Sequence, residues 1–336
     1  MELAGRIEEE RYLAEAASLA ALKMVVVGLG GCGNNTINNL KRAGVDVPTI
    51  AINTDAAVLS KTRADLRILI GESVVHGRGS AGSPELGRKI TEEEIDRILA
   101  PLRDKELIML VAGLGGGTGT GALPAIAEAV KSRFKEKLVI GIVTLPFSSE
   151  GPARARNAQW GLAQTLDACD MTIVNANDLL KERAGNLPIA QAFREMDRLL
   201  VDVIGGIVGL QGIVPQPGLV NLDFSNLSAM IRNSGLGFIG IGEGRRVYDA
   251  FKDSLTKNYC EADIRGAKAG LVYVEGNQTM LTMVELERIP REMSEVYGIT
   301  TLFWGIKPNW RLYEPRVMVV ATGVRSPLVE RWLEGS

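Results

Sequence analysis

Residues 106–134 read ELIMLVAGLGGGTGTGALPAIAEAVKSRF: an apolar strand-like run, a glycine loop and a helix-like run, uncharged from Leu107 to Ala127. Five of the seven residues Gly115–Gly121 are glycine, interrupted only by Thr118 and Thr120. Glycine in such density is costly in conformational entropy, so the backbone there must serve a purpose that side chains would block. Without Cβ atoms, successive N–H groups can turn inward around an anion. The N-terminus of the following helix adds partial positive charge, and the threonine hydroxyls add donors. The loop lacks the lysine of G-x-x-x-x-G-K-[ST], so it is not a P-loop.

A second strand, glycine loop and helix come earlier in the chain. KMVVVG (23–28) runs into GLGGCGNN (28–35), and NNTINNLKRAG reads as a helix. Gly28, Gly30 and Gly33 fit G-x-G-x-x-G, and Asp55 lies where a dinucleotide-binding fold often keeps a ribose-binding acid. Alone, this loop fits a structural turn or an NAD site equally. Two glycine loops at the carboxyl ends of neighbouring strands imply a polyphosphate held between them. An NAD oxidoreductase would need only the first loop and leaves the second unexplained.

The first half continues as alternating strands and helices: VPTIAIN (47–53), RILIG (67–71), a helix over 83–102 capped by Ser83 with Pro84 in its first turn, KLVIGIVTLP (137–146) and MTIVNAN (171–177). This alternation predicts an α/β fold with a parallel sheet. Residues 188–213 have helical spacing, although Gly205 and Gly206 cost about 1 kcal/mol each against alanine. Strands at 236–242, 270–276, 300–306 and 316–324, with helices at 245–258 and 282–296, predict a second α/β unit. The expected organisation is an N-terminal helical extension (1–22), a phosphate-binding domain (23–187), a connecting helix (188–213), a second domain with a mostly β sheet (214–326) and a short tail (327–336).

Composition narrows the function. A net charge of −2 over 336 residues offers no basic field for nucleic acid. His76 is the only histidine, which nearly excludes a histidine triad or multi-histidine zinc site; it is read as a polar loop residue. Cys32, Cys169 and Cys260 are scattered, as in a reducing compartment, and Cys32 is read only as a small residue in a tight loop. The uncharged stretches Leu107–Ala127 and Val203–Leu222 carry too much glycine, proline and glutamine for membrane spans. The N-terminus has no signal-peptide core. A cytoplasmic protein without direct membrane insertion is expected.

GGGTGTG is the signature of the tubulin/FtsZ superfamily, and the chain resembles FtsZ in its archaeal form over roughly 23–326. Supporting segments are VVVGLGGCGNNTINNL, AINTDAAVL, VTLPFSSEGPARARNA, VNLDFSNL and VATGVRS. The resemblance implies a Rossmann-like GTP-binding domain, a central helix and a C-terminal domain. It implies GTP and GDP as ligands, with Mg²⁺ held mainly by the nucleotide and no protein metal site. It also implies a longitudinal homopolymer that hydrolyses GTP at subunit junctions. By the same resemblance, Gly30, Gly31 and Asn34 form the first phosphate loop and Asn53 the second. Gly79, Ser80 and Ala81 lie in the γ-phosphate loop, with Ala81 and Ser83 where the family usually has glycine and asparagine. Gly115, Gly116, Gly117, Thr118, Gly119, Thr120 and Gly121 are the signature, and Glu150 and Arg154 contact sugar and phosphates. Asn177, Phe193 and Asp197 select the base: an acceptor-only carboxylate at Asp197 suits the N1–H and N2 donors of guanine, and Phe193 can stack.

In the family a loop reading N-x-D-x-x-D enters the next subunit's site. Here Asn221 and Asp223 match it, but Asn226 replaces the last acid. An amide can orient water yet cannot take its proton, and losing a positioned base costs about 10²–10⁴ in rate. Asn226 is also a favoured helix N-cap, in which case Asp223 suffices alone. The expectations are therefore a weak, assembly-dependent GTPase or a non-hydrolysing paralogue that co-assembles with an active one. The chain ends in SPLVERWLEGS, without the linker and anchoring peptide of many relatives, so recruitment by such a peptide is not expected.

Overall fold

The structure, a computed structural model, describes residues 22–179, 188–210, 224–277 and 281–335. The strands are β1 Met24–Leu29, β2 Thr49–Asn53, β3 Leu66–Leu69, β4 Leu107–Gly113, β5 Leu138–Leu145, β6 Met171–Ala176, β7 Gly235–Glu243, β8 Ala269–Gly276, β9 Leu302–Pro308 and β10 Arg316–Thr322. The main helices are α1 Gly30–Ala43, α2 Pro84–Glu93, α3 Thr118–Arg133, α4 Pro152–Ala168, α5 Ile189–Gly209, α6 Phe224–Ile231, α7 Val247–Thr256, α8 Met283–Glu295 and α9 Pro327–Glu334. The strands form one sheet in the order β3-β2-β1-β4-β5-β6-β7-β10-β8-β9. From β3 to β7 every pairing is parallel; β10 is antiparallel to β7 and β8, and β9 pairs parallel with β8.

Helices cover both faces of the central strands, which is why MVVVGL, LIMLVAG and LVIGIVTL are almost unbroken apolar runs. Alternation sends Val25, Val27 and Leu29 into one core layer with Leu123 and Ile126 of α3 and Leu162 of α4. Met24 and Val26 enter the opposite layer with Ile37 and Leu40 of α1, Val203 and Ile204 of α5, and Leu227 and Met230 of α6.

Two details differ from the sequence reading. The helix after the signature starts at Thr118, so the last four residues of the glycine run are its first turn. The helix expected over 83–102 breaks at Glu94, continuing as a short turn over Ile95–Leu99. Ser83 caps α2 as expected, its Oγ accepting from Leu86 N at 3.1 Å. The doubtful glycines of α5 do not interrupt it. At Gly206 a Cβ would stand 2.5 Å from Met318 Sδ, so this glycine lets β10 close on the helix.

Strand order reverses between β1 and β4, whose connections leave the sheet in opposite directions and open a crevice at their carboxyl ends. Both glycine loops flank that crevice. The first is held by close packing: a Cβ on Gly33 would lie 2.3 Å from Val111 O and 2.7 Å from Gly28 C. Both neighbours are backbone and neither can yield. Gly33→Ala should therefore lower unfolding stability by about 2–3 kcal/mol, read as a denaturant midpoint shift. An unchanged midpoint would contradict this packing.

Candidate functional site

A cleft of about 330 Å³ opens at the β1/β4 reversal. Gly30, Gly31 and Cys32 line it from the first loop and Gly116, Gly117, Thr118 and Gly119 from the second; Thr144, Glu150, Arg154, Asn177 and Asp197 complete much of its wall. Two helix N-termini meet here. A Cβ on Gly30 would come within 3.0 Å of Gly119 N, and one on Gly119 within 3.1 Å of Leu29 O. Neither α1 nor α3 has a side-chain cap or an acidic residue in its first turn, as is also true of α4 and α5, whereas α2, α8 and α9 are capped by Ser83, Thr282 and Ser326. The chain thus leaves two adjacent positive helix ends uncompensated by such groups, which is what an anion site requires.

The glycines divide by role. At Gly31 and Gly116 a Cβ would meet nothing within 4 Å and neither has positive φ, so nothing inside the chain demands glycine there. Both positions therefore leave open space beside the cleft. Gly115, at φ 104°, shapes the turn. Thr120 is fully buried and accepts from Gly115 N at 3.0 Å, and a Cβ on Gly121 would strike Pro84 O at 2.1 Å. These three support the loop from behind.

The other loops are tied in by hydroxyls and amides. Thr118 Oγ1 lies 2.6 Å from Thr54 Oγ1 and 3.1 Å from Ser80 Oγ. Asn53 Nδ2 donates to Asn34 Oδ1 at 2.7 Å, while the buried Asn34 Nδ2 has no hydrogen-bond partner among the described residues. Such an orphan costs about 1–3 kcal/mol unless a ligand or water satisfies it. Gly79 and Ala81 have φ of 82° and 49°. Ala81 therefore occupies the left-handed region that glycine would enter without strain.

Arg154 is ion-paired with Glu150 at the rim. Asp197 accepts from Asn35 Nδ2 at 3.2 Å. Burial pushes the Asp197 carboxyl above its ordinary value, against the nearby Asn39 and Asn35 amides and the Arg42 charge. Asp55, the ribose acid of an NAD reading, instead caps the helix over Ala56–Ser60 by accepting from Val58 N at 3.0 Å. Phe193 lies on α5, with its side chain outside the described residues. Asn221 and Asp223 are also outside them. Asn226 is the third residue of α6, inside the helix rather than its N-cap as the sequence allowed, and does not line the cleft of its own chain.

Sequence reasoning missed several residues. Cys32, read only as a loop filler, lines the cleft with its Sγ 3.6 Å from Thr144 Oγ1. Asn157 donates to Gly82 O at 2.8 Å and Gly115 O at 3.2 Å, joining two loops from α4. Its place one turn after Arg154 was the available signal. Cys169 and Cys260 are buried, and burial pushes both thiols up to about 12. Among the described residues no cluster of histidine, cysteine and acidic groups could hold a metal, and no helix is long and apolar enough to cross a membrane.

Residues 23–185 match the Tubulin/FtsZ family, GTPase domain. Cell division protein FtsZ 1 of Methanocaldococcus jannaschii is 36% identical over 323 residues, covering 95% of this chain and 87% of that protein. Cell division protein FtsZ 1 of Pyrococcus horikoshii is 39% identical over 311 residues, covering 90% and 82%. A solved M. jannaschii FtsZ dimer superposes with a TM-score of 0.82 at 36% identity, covering 94% of this chain and 92% of that one. The Haloferax volcanii CetZ2 structure has the same fold, with a TM-score of 0.82 at 24% identity. With the signature loop seated at the reversal of a parallel sheet, these similarities establish that the chain belongs to the tubulin/FtsZ family, as an FtsZ-type member of this group of cell-division GTPases.

Proposed function

We propose that the chain binds GTP in this cleft and assembles head to tail, segment 221–226 of one copy completing the site of the next. The carrying observation is that α6 and the cleft lie at opposite ends of the sheet. The cleft is at the carboxyl ends of β1, β4 and β5, whereas the chain just after α6 hydrogen-bonds Lys135 O and Glu136 O before β5 and Asp170 O before β6. Eight residues of β5 span about 25 Å. Asn226 cannot cross that distance within its own chain; a second copy stacked end to end brings it to a cleft. The relative solved as a dimer is consistent with such pairing.

In this reading, backbone amides at Gly30–Gly31 and Gly116–Gly119 hold the phosphates, with Arg154 adding charge. Asn177 and Asp197 read the base, with Phe193 stacked on it. The half-buried Asp197 carboxylate suits guanine, whose N1–H and N2 donors can replace the water that burial excludes. Mg²⁺ travels with the nucleotide. Asp223 is the remaining acid of the offered segment, and Asn226 limits the chemistry to orienting water. The second reading, a non-hydrolysing member co-assembling with an active paralogue, rests on that same asparagine.

Gly31→Ala and Gly116→Ala should each leave stability within about 0.5 kcal/mol, since the new methyl meets open space. Each should weaken GTP binding at least tenfold by titration; undiminished affinity would place the phosphates elsewhere. GTP turnover per subunit should rise with protein concentration, because the complete site needs two copies. A rate flat at background across the assembly range would favour the non-hydrolysing reading. Asn226→Asp should raise turnover at least tenfold, and an unchanged rate would show that the missing acid is not the limitation.

A further inference from the structure

Helix α6 has eight residues, too few to persist without tertiary support. Leu227, Met230 and Ile231 seat one side of it in the core. Its direction is set just beyond its last turn. Arg232 forks, Nη1 donating to Lys135 O and Nη2 to Glu136 O, each at 2.8 Å. Lys131 Nζ donates to Asn233 Oδ1 at 3.0 Å and stands 3.5 Å from the fully buried carboxylate of Asp170. Asn233 turns the chain at φ 50°, and Ser234 N donates to Asp170 O at 2.7 Å.

These partners share a location. Lys131 lies in the last turn of α3, Lys135 and Glu136 follow it, and Asp170 precedes β6; none is on strands β7 to β10. The other end of α3 is the signature loop. One helix of 16 residues, about 24 Å long, therefore carries the cleft at its start and the anchor of α6 at its end.

We propose that Arg232, supported by Lys131 and Asp170, is a positioning residue for the segment that each copy offers to its neighbour. It fixes the angle at which α6, which carries Asn226, lies against the sheet. A guanidinium fork bonded to two consecutive carbonyls defines an orientation, as one ammonium does not. The inference rests on the head-to-tail reading above.

The test uses the full chain with Arg232→Ala, Arg232→Lys and Lys131→Met, each checked for folding by thermal melting. GTP affinity is measured at dilution, and the assembly threshold by sedimentation with GTPγS, which resists hydrolysis. Arg232→Ala should bind GTP within twofold of the unaltered chain and raise the assembly threshold at least fivefold. Arg232→Lys should recover part of that loss, and Lys131→Met should raise the threshold less than Arg232→Ala does. An equimolar mixture of Arg232→Ala with Arg154→Ala should turn over GTP faster than either alone. Only there does an intact cleft meet a well-held segment, and general destabilisation would not complement in this way. A threshold within twofold of the unaltered chain, or an absence of complementation between active parents, overturns the proposal and leaves head-to-tail assembly standing. Failure of the unaltered chain to assemble with GTPγS overturns both.

Discussion

Two helix N-termini pressed against each other at Gly30 and Gly119 are the constraint on which the rest of the structure depends. Each carries roughly half a positive charge from its aligned peptide dipoles. Side chains normally blunt such ends, and in this chain Ser83, Thr282 and Ser326 do so for other helices. At α1 and α3 the side-chain caps are missing, and glycine brings the two ends together. The sheet supports this arrangement by reversing strand order between β1 and β4, so that both loops emerge on the same edge. Thr54, Ser80 and Asn157 then tie the surrounding loops to the signature, making one rigid frame.

Much of this was legible in the sequence, for physical reasons. A strand buried on both faces must be apolar throughout, so β1, β4 and β5 could be read directly. A glycine run between such a strand and a helix has few uses besides close approach to an anion. The sequence could not separate glycines that face the open cleft from those that face the protein, because the distinction lies in neighbours far along the chain. Gly121 is glycine because of Pro84, and Gly33 because of Val111. The helix start at Thr118 was hidden by low helix propensity, which tertiary packing overrode. Asn157 and Cys32 were passed over because an amide or a thiol in a helix has many ordinary explanations. Asp55 was legible as a candidate acid, but a carboxylate before a short helix is spent on its cap.

A parallel sheet has two unlike ends, and this chain gathers the glycine loops at one and α6 at the other. In the proposed reading, a group needed for hydrolysis is held at the end away from the cleft, and the single copy is incomplete. Under the proposed function, assembly becomes a condition of chemistry, and an amide in place of an acid at residue 226 would weaken the reaction without disturbing the fold.

A structure of two consecutive subunits with GTP bound at their junction tests this most directly. The account predicts phosphate oxygens within hydrogen-bond distance of the amides at Gly31 and Gly116–Thr118, guanine against Asp197, and residues 221–226 of the neighbouring copy facing the terminal phosphate. Phosphates lying away from these amides, or a junction in which 221–226 points to solvent, would contradict it.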